Sequence, residues 1–303
     1  MSPSETASIA LNTGDGWTIH LQAYNPPASL APRAALLIGP AMMVNRRSLD
    51  RPTGKGMASF FAESGYVVYT LDVRGHGESQ PAASRHVDWS YEQIIHIDLP
   101  TAIRAVKNRH PSLPLVLVGH SLCGHGGAAS LGCAPELPVD LLVMLGANIW
   151  LPQLEPSLRY RLLKLATLLI WQAITDRKGY FPARALRIGS DDEARTYVGQ
   201  FLRWMKSDRW GQEIDYLGQL EHITIPALQV NGRGDRLFCR TPCAKRFIEH
   251  FTGSDVDFWE ISAADLQGGQ GKEPDHMTIA VDPRSRPIWQ RIDQWIDAKL
   301  KQI

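Results

Sequence analysis

Three residues of this chain could carry nucleophilic chemistry together: Ser121, Asp235 and His276. Ser121 lies in Gly119-His120-Ser121-Leu122-Cys123-Gly124, directly after the apolar run 115–118 and before a small-residue helix start at 124–130. Strand, tight turn and helix in that order hold a serine in a strained turn, with its hydroxyl projecting beyond the strand end. Close approach of strand and helix demands small residues two before and two after the serine. Gly119 meets the demand, and Cys123 stands where a second glycine is usual. Cys123 is itself a rival nucleophile. A turn centred on it would place Ser121 and bulky His125 at the two flanking positions, and the histidine argues against that arrangement.

A serine hydroxyl is a poor nucleophile until a histidine takes its proton, and the histidine needs a carboxylate to fix its tautomer and stabilise its cation. The run 227–230 leads into Asn231-Gly232-Arg233-Gly234-Asp235, which puts a carboxylate just past a strand end on a glycine-rich loop. The competing position, after the run 141–145, reads Gly146-Ala147-Asn148-Ile149-Trp150 and offers no acid. His276 follows the last strand-like run, 256–261, in Pro274-Asp275-His276-Met277; His250, the other histidine after Asp235, falls in a helical pattern too early to reach the strand ends. Acyl chemistry also needs N–H donors for an oxyanion. Leu122 supplies one. Met42, in Gly39-Pro40-Ala41-Met42-Met43 after the run 34–38, is assigned as the second, with Ala41 and Met43 left as alternatives.

The elements that must position these residues are legible as runs. Residues 8–23 alternate around a Gly-Asp-Gly turn and predict an opening β-hairpin. The runs 34–38, 67–71, 115–118, 141–145 and 227–230 are continuously apolar, as in strands covered on both faces. Helical spacing between them, at 55–65 and 91–108, predicts a mostly parallel sheet with right-handed crossovers. After Gly146 the alternation stops for about seventy residues of helical pattern. That segment, 148–220, is expected to be an inserted helical cap, with 1–147 and 221–303 forming the core. Its stretch from 158 to 174 reads as apolar almost all round. Met43, Trp150, Trp171, Phe181 and Trp204 are expected to contact substrate, since apolar walls with a few polar groups suit small-ligand sites.

The 303 residues carry 32 Lys plus Arg against 31 Asp plus Glu, so no net field exists to hold nucleic acid or an anionic membrane. A small, largely uncharged ligand fits better. Neither a signal-peptide pattern nor an apolar stretch of spanning length is found, so a cytoplasmic location without a membrane span is expected. Four cysteines are read as free thiols, and Cys239 with Cys243 does not complete a zinc set, so neither metal nor cofactor is expected. Composition says nothing of oligomeric state.

Leu71-Asp72-Val73-Arg74-Gly75-His76-Gly77-Glu78-Ser79, together with the serine turn and the Asp235 and His276 loops, resembles the α/β-hydrolase superfamily across the chain outside the cap. Pro40-Ala41-Met42 and Gly179-Tyr180-Phe181-Pro182 are similar to a less characterised bacterial branch of it. The resemblance implies a central, mostly parallel sheet with helices on both faces, and a pocket at the strands' carboxyl ends. It implies a serine hydrolase of esterase or lipase type that cleaves a carboxylic ester or lactone of a bulky, mainly apolar molecule through an acyl-enzyme. Acyl transfer or thioester cleavage with the same residues, or a catalytically silent binding protein, are the alternatives. Dehalogenases and epoxide hydrolases of this fold use an aspartate in place of Ser121. Arg74 and His76 are read as turn structure, and His120 and His125 as support for the serine turn.

Overall fold

The computed structural model describes residues 4–5 and 8–302. Nine strands form one sheet: β1 (Ser4–Glu5), β2 (Ile9–Asn12), β3 (Thr18–Asn25), β4 (Ala35–Gly39), β5 (Val67–Asp72), β6 (Leu115–His120), β7 (Leu141–Leu145), β8 (Ala227–Gly232) and β9 (Val256–Ile261). Their spatial order is β1-β3-β5-β4-β6-β7-β8-β9, with β2 beside β1 along the edge of β3. Pairing is antiparallel up to β3–β5 and parallel from β5–β4 onward. The hairpin read at 8–23 is β2 and β3, and each continuous apolar run is a strand of the parallel region.

Those runs are apolar but for Thr70 and Gln229, themselves buried, because both faces of the sheet are covered. Leu37, Leu117 and Met144 point into one layer, with Ile103, Val106 and Ala128. Leu36, Ile38, Val116, Val118 and Val143 point into the other, with Phe61, Ile292 and Ile296. Helices Leu99–Arg109 and Leu122–Cys133 supply the first layer, and helices Met57–Glu63 and Arg286–Leu300 the second. The helical pattern from 91 is continuous except for one wide turn, where Leu99 N–H donates to Ile94 five residues back, just ahead of Pro100, which has no N–H to give.

The register pairs Gly39 with Gly119, His120 with Leu145 and Leu145 with Val230. The turns after β4, β6, β7 and β8 therefore open along one edge of the sheet. Between β7 and β8 lie helix Leu158–Lys178, which stops at Gly179 in the left-handed region (φ 86°), and helix Arg195–Ser207. The first of these is not buried all round. It turns Lys164, Leu168 and Thr175 inward and leaves Leu158, Leu162, Leu163, Leu169 and Ile170 exposed. The inversion follows from what lies beneath it: Glu155, 1 % exposed, accepts from Lys164 Nζ at 3.0 Å and from Cys243 Sγ at 3.0 Å, and also pairs with Arg240. A buried cation is retained only where such acceptors meet it. No described helix is long and apolar enough to cross a membrane.

Candidate active site

Ser121 occupies the turn between β6 and helix Leu122–Cys133 with φ 48° and ψ −105°, a left-handed backbone rare for a residue with a side chain. Its N–H is fixed to the Leu145 carbonyl at 2.9 Å. A side chain at Gly119 would place its Cβ 2.2 Å from the Cys123 carbonyl oxygen, so the strand and helix touch there as the sequence required. Cys123 fits in place of the usual glycine because Gly39 faces it: a Cβ at Gly39 would lie 2.4 Å from Cys123 Cβ and 2.6 Å from Sγ. Burial pushes the Cys123 thiol well above its ordinary range, so it is not a ready thiolate.

The loop after β8 brings Asp235 to the loop carrying His276. Gly234 N–H donates to Pro274 O at 2.8 Å, and a Cβ at Gly232 would stand 2.4 Å from that same oxygen; the glycines let the two loops lie in contact. Asp235 Oδ2 meets His276 Nδ1 at 2.6 Å. Burial alone would raise the Asp235 carboxyl, but the His276 hydrogen bond and backbone N–H groups of Cys239 and Leu237 outweigh it and hold the carboxyl below its usual value. His276 is placed from two further sides. Its backbone carbonyl accepts from His120 Nε2 at 2.9 Å, and its ring packs at 4.9 Å between centroids on Phe238 and against Gly146, where an added Cβ would come within 3.2 Å of Nδ1. Burial, then the neighbouring His276, lower His120 to about 3, so it is a neutral support. Among the described residues no hydrogen bond joins Ser121 Oγ to His276 Nε2; the one side-chain bond of the His276 ring is that from Nδ1 to Asp235.

Met42 lines the cavity at Ser121, and neither its N–H nor that of Leu122 is engaged within the described residues. Met43 has no free N–H to offer, because it donates to Glu193 Oε1 at 2.6 Å. Of the donors left open by the sequence, Met43 is thereby removed. Glu193 also faces His76 Nε2 at 3.2 Å, and Ser190 and Asp191 donate to the Met43 carbonyl at 2.8 and 3.0 Å. His76, read as turn structure, thus reaches the segment between β7 and β8. Arg74 stays in the core, bonded to Asp98 and Asp15.

The cavity has a volume of about 30 Å³ and is walled by Met42, His125, Asn148, Trp150, Leu168, Trp171, Phe201 and Phe238, with Ser121 and Gly146 at its base. Two of the five residues expected to contact substrate, Trp150 and Trp171, stand in this wall. The other three do not. Met43 is turned away with its amide held by Glu193; Phe181 is fully buried behind Trp171 at 5.1 Å; Trp204 packs on Tyr91 at 5.1 Å and borders a separate surface hollow with Gln200 and Arg203. Phe238, Leu168, Asn148 and His125 were not expected there. Only the last two carried a signal, polar side chains among small or apolar neighbours.

The model of the family described as serine aminopeptidase, S33 matches residues 54–263. No curated protein sequence matches the chain. Among solved structures it is similar to the esterase Pf2001 of Pyrococcus furiosus, at 16% identity over 98% of this chain and 93% of that one, with a TM-score of 0.60. It is also similar to DcsB, solved with a substrate analogue, at 17% identity over 98% and 99%, TM-score 0.63. The acylaminoacyl peptidase of Pyrococcus horikoshii matches 99% of this chain with 42% of its own, at 12% identity and TM-score 0.60. At such identities these likenesses speak for the fold. With the family match spanning more than half its length, the chain belongs to the S33 serine aminopeptidase family and is a hydrolase of the α/β-hydrolase fold.

Proposed function

We propose that the protein is a serine-dependent hydrolase of carboxylic esters of mainly apolar small molecules. The observation that carries this is the 2.6 Å bond from His276 Nδ1 to a buried carboxylate, Asp235, on loops that converge on the strained Ser121 turn. In this reading Asp235 fixes the tautomer that leaves Nε2 free to take the Ser121 proton, and Ser121 Oγ attacks the ester carbonyl. The N–H groups of Met42 and Leu122 receive the oxyanion. The alcohol departs with the proton from His276, and water, activated by the same imidazole, releases the acid.

The S33 description names a peptidase, and Pf2001 is an esterase. An aminopeptidase must hold a free ammonium beside the scissile bond. The wall of the Ser121 cavity has no carboxylate among the described residues, and its neutral, aromatic lining favours the ester. Residues 148–220 act in this reading as a cap, contributing Trp150, Leu168, Trp171 and Phe201 to the roof. About 30 Å³ is roughly the room of one water or hydroxyl, so in this reading an ester acyl chain, and still more the bulky ester or lactone suggested by composition, requires the Trp150 and Trp171 rings to swing aside. Labelling with a fluorophosphonate probe tests the reading: Ser121 is modified in the wild-type chain, and the label is absent from His276→Ala. A wild-type protein that stays unlabelled and cleaves no p-nitrophenyl ester is the silent binding protein instead.

A further inference from the structure

Two polar side chains in the cavity wall have no task in the chemistry above. Asn148 stands three residues past β7, is 6 % exposed, and has neither Oδ1 nor Nδ2 in a hydrogen bond. Its polar neighbour on the protein side is the Cys239 sulfur, a weak acceptor for the amide N–H. Burying an amide unpaired costs on the order of 1–3 kcal/mol, so a group left that way calls for a use. His125, one turn into the helix after Ser121, shares the cavity. Its Nδ1 lies 2.8 Å from Tyr91 Oη. Tyr91 is fully buried and its hydroxyl has no other hydrogen-bond partner among the described residues. The phenolic proton therefore points at Nδ1, because the reverse arrangement would strand it. Burial, with His276 nearby, lowers His125 to about 3, so the ring is neutral and its single proton sits on Nε2, which has no hydrogen-bond partner among the described residues.

His125, with an N–H, and Asn148, with an amide donor and acceptor buried beside the space, are thus the polar side chains beside Ser121 in a wall otherwise made of methionine, leucine and aromatic rings. A charged ligand group would be desolvated there with no counter-charge. A hydroxyl is uncharged, both donates and accepts, and is of the size the space allows.

We propose that Asn148 and His125 form a subsite for a hydroxyl on the acyl chain of the substrate, so that hydroxyacyl esters are preferred over plain hydrocarbon esters; this rests on the ester-hydrolase reading. The hydroxyl proton goes to Asn148 Oδ1, and its oxygen accepts from His125 Nε2–H or Asn148 Nδ2–H. A site built around a substrate hydroxyl rejects the analogue lacking it, because its own polar groups are then left unpaired.

The test compares kcat/KM for p-nitrophenyl 3-hydroxybutyrate and p-nitrophenyl 3-methylbutyrate, in which a methyl replaces the hydroxyl, each divided by the hydroxide-catalysed rate of the same ester. The wild-type protein is expected to favour the hydroxy ester by roughly tenfold or more. Asn148→Leu and His125→Phe should each bring that ratio towards one, with fluorophosphonate labelling of Ser121 reporting that each variant is folded. A wild-type ratio at or below one, in a protein that is labelled and cleaves the methyl ester, overturns the subsite and leaves the esterase reading standing. So does a ratio unchanged in both labelled variants. A wild-type protein that is neither labelled nor active on either ester removes the esterase reading, and the subsite with it.

Discussion

Glu193 Oε1 accepts the backbone N–H of Met43 across 2.6 Å, tying a buried carboxylate from the segment between β7 and β8 to the turn after β4. Met42, which lines the cavity and whose N–H is unengaged within the described residues, is the neighbouring residue in that turn. The same carboxylate oxygen meets buried His76. One side chain therefore ties together the segment between β7 and β8, the His76 turn and the turn that carries Met42, and on the proposed function removing it should be felt in stability and in rate. Glu193→Ala is expected to cost about 3 kcal/mol in urea denaturation, the usual penalty for stripping one partner from a buried pair. It should also lower kcat at least tenfold with less change in KM. Glu193→Gln keeps an acceptor for Met43 and should retain most of the kcat while losing much of the stability. Equal kcat losses in the two variants would detach the Met43 contact from catalysis.

His76 gives this tie a pH dependence. Burial opposes its charge, but Glu193, the Arg74 carbonyl and Asp191 together raise it from 6.5 to about 9. A raised histidine contributes stability that is complete below 6.5 and is lost as pH climbs through the folded value. The melting temperature is expected to fall between pH 7 and 9.5 in the wild-type chain and to change less over that window in His76→Gln. Parallel slopes for the two proteins would reject the assignment.

Ser121→Ala and His276→Ala should each lower turnover of a p-nitrophenyl ester by roughly 10⁴-fold, since members of a catalytic unit fail together, and Asp235→Asn by a similar or smaller factor. Cys123→Ala should stay within about tenfold of wild type, because the thiol is buried and held protonated. The reverse pattern, with Cys123→Ala inactive and Ser121→Ala active, would move the nucleophile to sulfur.

Gly39 and Cys123 fill one space between them. Gly39→Ala alone is expected to cost roughly 1–3 kcal/mol from overpacking, and Cys123→Gly in the same chain should return much of that. Thermal or urea unfolding of the two single variants and the double variant measures the coupling; additive losses would mean that the backbone, not the sulfur, sets the limit.

Much of this was legible along the chain because it depends on local order. Continuous apolar runs mark strands covered on both faces, the glycine spacing marks the Ser121 turn, and Asp235 and His276 follow strand ends where their loops can meet. Long-range choices were not legible. Glu193 closes an acidic run, Asp191-Asp192-Glu193, that looks like a solvated loop, and nothing local says its last member turns inward to Met43. The orientation of helix Leu158–Lys178 is illegible for the same reason. Leucines on several sides suggest burial all round, yet Glu155 and Cys243, distant in sequence from one another, draw Lys164 inward and turn the leucine-rich face out. Aromatic content marked a segment that does contribute to the cavity wall, but only packing separated Trp150 and Trp171, in the wall, from Phe181 and Trp204, outside it.

The shared space of Gly39 and Cys123 also constrains descent. A cysteine two residues after Ser121 is open only to a chain that already has glycine opposite, so the two replacements have an order: residue 39 must shrink before residue 123 can grow. Once the sulfur is in place the step back at position 39 is closed, while position 123 stays free to revert. Relatives that carry a larger residue at the place of Gly39 are accordingly expected to have glycine at the place of Cys123, and a sequence with both positions large would have to have moved the strand away from the helix.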